Sequence, residues 1–117
     1  MNLTRASEAP CYSAELHRGV CTVRLQGHEA GTTDRFWVGV SIYKPGGTAE
    51  EAPAREETVY VVLDGELVVA WPGGDSVLGR LDSVHFAKGE VRSIQNLADR
   101  EAVLLVAIAH SDEERRS

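Results

Sequence analysis

The chain has no cluster of basic residues, and it has no apolar run long enough to cross a bilayer. Apart from Arg115-Arg116, its 12 Lys and Arg are scattered singly against 18 Asp and Glu, for a formal charge of −6. Neutralising phosphates takes grouped cations, so the composition argues against a nucleic-acid or anionic-membrane partner. The longest apolar stretch, residues 102–109, falls far short of the roughly 20 residues that a spanning helix needs. Residues 1–10 lack the apolar centre of a secretory signal, which makes the cytoplasm the expected compartment. Solenoid repeats, heptads, a glycine-rich phosphate loop leading into a helix and a Gly-x-Ser-x-Gly elbow are all missing. There are only two cysteines, Cys11 and Cys21, flanking His17-Arg18-Gly19. A bridge between them is conceivable, but reduced thiols are the ordinary state in a cytosolic chain.

What is present is enough for one globular domain. A chain of 117 residues, 43% hydrophobic and 26% charged, has the volume for a single real core over residues 1–117, with a polar tail at 111–117 expected to fray. No convincing amphipathic helix appears, while period-two runs recur. Strands are expected near 20–25, 35–43, 58–63, 66–71, 76–78, 82–86, 92–96 and 102–109. Over 35–43, Phe36, Val38, Val40 and Ile42 share one face, and Arg35, Trp37, Gly39, Ser41 and Tyr43 share the other. Either face suits the inner wall of a barrel or an interface, and periodicity does not say which looks inward. Residues 48–57 carry four glutamates among Ala and Pro and are expected to run as a solvated rim loop, since the spacing of a calcium loop is absent.

Two stretches have a fixed register. Gly46, Ala52, Ala54, Thr58 and Gly65 fall on the points of G-x5-H-x-H-x3-E-x6-G, and Leu81, Ala87, Gly89, Arg92 and Asn96 fall on those of G-x5-P-x-G-x2-H-x3-N. These spacings resemble the two motifs of the cupin superfamily, with Gly46, Gly65, Gly89 and Asn96 identical to the pattern. The resemblance implies an all-β double-stranded β-helix, a cupin or jelly-roll barrel. It also makes a homodimer the expected assembly, with a first strand that can cross to the partner's sheet. In metal-binding relatives three His and a Glu hold a divalent ion. The corresponding positions here are Ala52, Ala54, Thr58 and Arg92, so the resemblance implies no metal and no other cofactor. A metal site rebuilt from His85, His110 and a rim glutamate matches no ligand spacing.

Arg92 is the most informative of these replacements. A permanent cation among apolar walls needs a negative partner, either one of the chain's own carboxylates, such as Glu56 or Glu57, or an anionic group on a ligand. If Thr58 faces inward, so does Tyr60, which then stands as a proton donor or acceptor beside Arg92, with Tyr43, His85 and Glu57 behind it. His85 faces opposite to Val84 and Phe86, and outward exposure is as open to it as a place in the site. His17, His28 and His110 sit in end or loop segments, where exposed imidazoles are expected.

The resulting expectation is a metal-independent lyase or isomerase acting on a small anionic or enolisable carbonyl or carboxylate compound. Arg92, Tyr60, His85 and Glu57 are its catalytic candidates, and Arg92, Trp37, Tyr43, Tyr60 and Thr58 its binding candidates. A non-catalytic small-molecule barrel and a structural dimerisation module are the alternatives.

Overall fold

The computed structural model describes residues 1–113, and the part of the 111–117 tail from residue 114 onward lies outside the described residues. Eight strands make the fold: β1 (His17–Gln26), β2 (Phe36–Pro53), β3 (Thr58–Asp64), β4 (Leu67–Trp71), β5 (Gly74–Leu78), β6 (Ser83–Phe86), β7 (Val91–Gln95) and β8 (Ala102–Ala109). They hydrogen-bond in the order β5-β4-β7-β2-β8-β3-β6, with β1 alongside β2 of the same chain. Every pairing is antiparallel, and the sheet curls into a nearly closed jelly-roll barrel, the double-stranded β-helix. Among the described residues no helix is long and apolar enough to cross a membrane.

The long strand β2 positions everything else. Its first half pairs with β8 from Phe36↔Ala109 to Tyr43↔Ala102 and with β1 through Val23↔Val40. Its second half leaves β8 and pairs with β7, from Thr48↔Gln95 to Pro53↔Val91. The expectation of a rim loop over 48–57 is therefore corrected: residues 48–53 are strand, and only 54–57 connect β2 to β3. Composition misled because a polar strand needs only partners for its backbone. This one has β7 on one edge, and His17 and Arg18 of β1 face Ala49 and Thr48. Its glutamates reach water at the rim.

The change of direction in β2 depends on glycine. Gly46 sits at φ +81°, and a Cβ on Gly47 would stand 2.6 Å from the carbonyl oxygen of Gly19, so the backbones of β1 and β2 cross too closely for any side chain. The four glycine positions of the motif spacing behave alike, with φ of +81° at Gly46, +78° at Gly65, +91° at Gly89 and +70° at Leu81.

Strand alternation decides which residues fill the barrel. On β3, Thr58, Tyr60 and Val62 are buried, and on β8 Ala102, Leu104 and Val106 are. With Tyr43, Leu67, Val69, Phe86 and Ile94 they form the core, each large aliphatic side chain worth roughly 1.5–3 kcal/mol on burial. On β2 the mixed face is the inner one: Gly39, Ser41 and Tyr43 are buried, whereas Phe36 is 56% exposed. At one end of the core Asn96, with no exposed surface, donates from Nδ2 to the carbonyls of Tyr43 (3.0 Å) and Arg100 (2.8 Å), while its Oδ1 accepts from the Ala98 amide (3.0 Å).

The segment before β1 forms a strap. Residues 12–16 lie outside the regular sheet, tied by a bridge from Cys11 to Val23, the Tyr12 amide donating to the Thr22 carbonyl (3.0 Å), and the Glu50 amide donating to the Leu16 carbonyl (2.9 Å). Instead of starting near residue 20, β1 starts at His17 and carries a bulge between Arg18 and Val20.

Candidate functional site

Between the strap and the inner walls of β2, β3, β7 and β8 lies a cavity of about 590 Å³. Alternation sends Trp37 and Tyr43 of β2, Thr58 and Tyr60 of β3 and Arg92 of β7 to its lining, together with Ala52 and Ala54. His85 and Glu57 stand elsewhere. His85 pairs across the sheet with the exposed Val59, and its Nε2 meets Glu57 Oε2 at 2.7 Å on the outer surface, their side chains 52% and 67% exposed. The phase of the β6 alternation was legible. Its direction is set by Phe86, which takes the buried side.

Arg92 is half-buried and donates from Nε to the Tyr60 hydroxyl (3.1 Å) and from Nη1 to the Glu50 carbonyl (3.4 Å). Among the described residues it has no carboxylate within ion-pair distance. The two internal partners considered for it are committed elsewhere: Glu56 holds Lys88 at 3.2 Å, and Glu57 holds His85. Ala52 is the direct cross-strand neighbour of Arg92. The side chains at 52, 54, 58 and 92 amount to two methyl groups, a threonine hydroxyl that donates to the Glu56 carbonyl (2.9 Å) and a guanidinium, a donor set that does not fit a divalent ion.

Several lining residues escaped the sequence reading, Arg24 first among them. From β1 its guanidinium carbon lies 3.7 Å from the centroid of the Tyr12 ring and 4.1 Å from that of Trp37, a double cation–π contact. Its Nε donates to Glu29 Oε1 at 2.9 Å, while Nη1 is buried with no hydrogen-bond partner. A signal for it existed: Arg24 sits in an alternating apolar strand, and its partner on β2 is Gly39, which leaves room for a large side chain. His17 and His28 also line the cavity instead of standing free in loops; His28 packs edge-on against Trp37 (5.7 Å) and His110 (5.1 Å), and His110 Nε2 lies 2.8 Å from Thr33 Oγ1.

The site's electrostatics divide by depth. Three carboxylates reach it from the rim, each already facing a cation: Glu15 with Arg55, Glu50 with Arg18 and Glu56 with Lys88. Inside stand Arg24, Arg92 and the phenols of Tyr12, Tyr43 and Tyr60. Burial pushes the Tyr43 phenol well above its ordinary value, with the neighbouring Tyr60 adding to this and Arg92 opposing it. Burial also raises Tyr12, against the pull of Arg24. Cys11 and Cys21 are both free and exposed.

A nearly closed jelly-roll barrel with a ligand-sized cavity inside its walls defines a protein of the cupin fold. Solved structures agree on this. The polyketide cyclase RemF from Streptomyces resistomycificus superposes with a TM-score of 0.82, covering 99% of this chain and 91% of its own at 15% identity. A sugar phosphate isomerase from a cupin superfamily, from Silicibacter pomeroyi, gives 0.70 at 23% identity, covering 80% of this chain, which spans 60% of that protein. No family model matches the sequence. A Mycobacterium tuberculosis protein named beta-D-galactosidase Rv1717 is 69% identical over 110 residues, 94% of this chain and 95% of its own, and this chain belongs to the same family.

Proposed function

We propose that this protein acts on small β-D-galactosides held in the barrel cavity, without a bound metal. The observation that carries this reading is the 69% identity, over nearly the whole length of both chains, to a protein named for that activity. The cavity suits a sugar ring. The half-buried rings of Tyr12 and Trp37 offer apolar area for its C–H faces, while Tyr43, Tyr60, Ser41 and Thr58 close the inner wall with almost no exposed surface.

Cleaving a glycoside takes two carboxyl groups, one to protonate the departing oxygen and one to activate water or attack the anomeric carbon. Glu50 and Glu56 are the most sheltered acids on the cavity, their side chains 41% and 21% exposed, and we assign them as that pair. The test is release of nitrophenol from nitrophenyl β-D-galactoside by purified protein before and after a chelator. Activity should survive chelation and fall about 10²–10⁴-fold in Glu50→Gln or Glu56→Gln. Hydrolysis no faster than a buffer blank, or activity that returns only with added metal, overturns the reading.

A second reading is favoured by Arg92, which has a phenol partner at 3.1 Å and no carboxylate among the described residues. A guanidinium that holds an enolate oxygen beside a phenol that moves a proton is the arrangement for lyase or isomerase chemistry on a small carbonyl or carboxylate compound. Calorimetric screening of aliphatic and aromatic carboxylates checks it. Arg92→Ala should lose about 10- to 150-fold in affinity, and Arg92→Lys should recover only part because a point charge cannot form the fork. Equal binding of every acid by wild type and Arg92→Ala counts against it.

A further inference from the structure

The rim of the cavity and its interior carry opposite surpluses. Every carboxylate that lines the cavity, Glu15, Glu50 and Glu56, already faces a cation. The unspent hydrogen-bonding capacity inside belongs to two arginines. Arg92 has a phenol and a carbonyl as partners and no carboxylate among the described residues. Arg24 has one carboxylate, on Nε, and a buried Nη1 with nothing to donate to, although its side chain is only 14% exposed. A neutral sugar offers hydroxyls that any of the tyrosines could meet, and it would leave Arg92 without a carboxylate and Arg24 Nη1 without a charged acceptor. A carboxylate answers them, since its paired oxygens match the planar fork of a guanidinium.

We propose that Arg24 and Arg92 form an acid-recognition site in this cavity, and that the preferred ligand is a β-galactoside bearing a carboxylate. This rests on the galactoside reading and narrows its substrate class. The arrangement favours a ligand with an acidic end and an apolar or aromatic body. Tyr12 and Trp37 hold the Arg24 guanidinium by its carbon at 3.7 and 4.1 Å from their ring centroids, which fixes the plane of the fork before a ligand arrives. Arg92 is held instead by hydrogen bonds, from Nε to the Tyr60 hydroxyl and from Nη1 to the Glu50 carbonyl, which leaves Nη2 and the second N–H of Nη1 for the ligand.

The carboxylate can belong to the sugar or to the aglycone, and the experiment separates the two. Calorimetric titration compares phenyl β-D-galactoside, phenyl β-D-galacturonide and 4-carboxyphenyl β-D-galactoside on wild type, Arg24→Ala, Arg92→Ala and the two Lys variants. At least one acidic compound should bind about 10- to 150-fold tighter than the neutral one, and the tighter one tells where the acid sits. That preference should shrink in both Ala variants, return partly in the Lys variants and weaken with added salt. Should an Ala variant fail to fold, the Lys variants and the salt series on wild type still decide the matter. Neutral and acidic compounds bound equally by wild type, or an acid preference untouched in every arginine variant, overturns the proposal. Turnover of nitrophenyl β-D-galactoside reports separately on the parent reading, and absence of binding by all three compounds overturns both.

Discussion

At the scale of single residues, the Tyr43 phenol is the clearest case of environment acting on chemistry. It is 1% exposed, and burial raises its pKa above the ordinary 10.0. A phenol raised in the fold stabilises it while neutral. That contribution is fully present below pH 10 and is lost as pH climbs from 10 toward the folded value. Urea unfolding followed between pH 8 and 11 should therefore show stability falling past about pH 10, and falling less steeply in Tyr43→Phe. A Phe variant with the wild-type slope would assign the loss to another group. Asn96 is the structural counterpart, a fully buried amide that ties together Tyr43, Ala98 and Arg100. Asn96→Ala strands two carbonyls and an amide and should cost about 2–4 kcal/mol in denaturant unfolding. A loss within error of zero would mean that water takes over the three bonds.

At the scale of elements, the turn between β3 and β4 depends on Gly65, whose φ is +78° and whose Cβ would stand 2.7 Å from the Glu101 carbonyl and 2.9 Å from the Ala102 Cα. Gly65→Ala should destabilise by about 1–3 kcal/mol, read from the denaturation midpoint at unchanged m-value. The same backbone demand explains how much of the fold could be read in advance. Positive-φ positions at fixed intervals leave glycines in the sequence, and the register of Gly46, Gly65, Gly89 and Asn96 survives even where Leu81 takes a glycine's place at φ +70°. The second half of β2 was opaque for the opposite reason: what makes it a strand is β7, more than 30 residues away in sequence, and nothing local marks it. The candidate site was partly legible. Alternation gave the shared face of Thr58 and Tyr60 but not the inward side of β1 or β6, so Arg24 was missed and His85 was counted among residues it does not join.

At the scale of the molecule, the outer face of the barrel carries a continuous apolar row. Val23, Val40, Leu105 and Val61 follow one another across β1, β2, β8 and β3, with Val38, Ala107 and Val59 as the neighbouring row. We expect a homodimer to form on this face, since an apolar sheet face in water invites a second copy. Sedimentation at micromolar concentration should give twice the 12.7 kDa of one chain, and Leu105→Lys should shift it toward the single-chain mass. A single-chain mass for the wild type would count against pairing. The position of β8 has a further consequence, for synthesis. It lies between β2 and β3 in the sheet, so both of those strands expose an unpaired edge until residues 102–109 have left the ribosome. The nascent barrel therefore cannot close before β8 is made, and until then its β-rich segments stand as open edges for chaperones to hold.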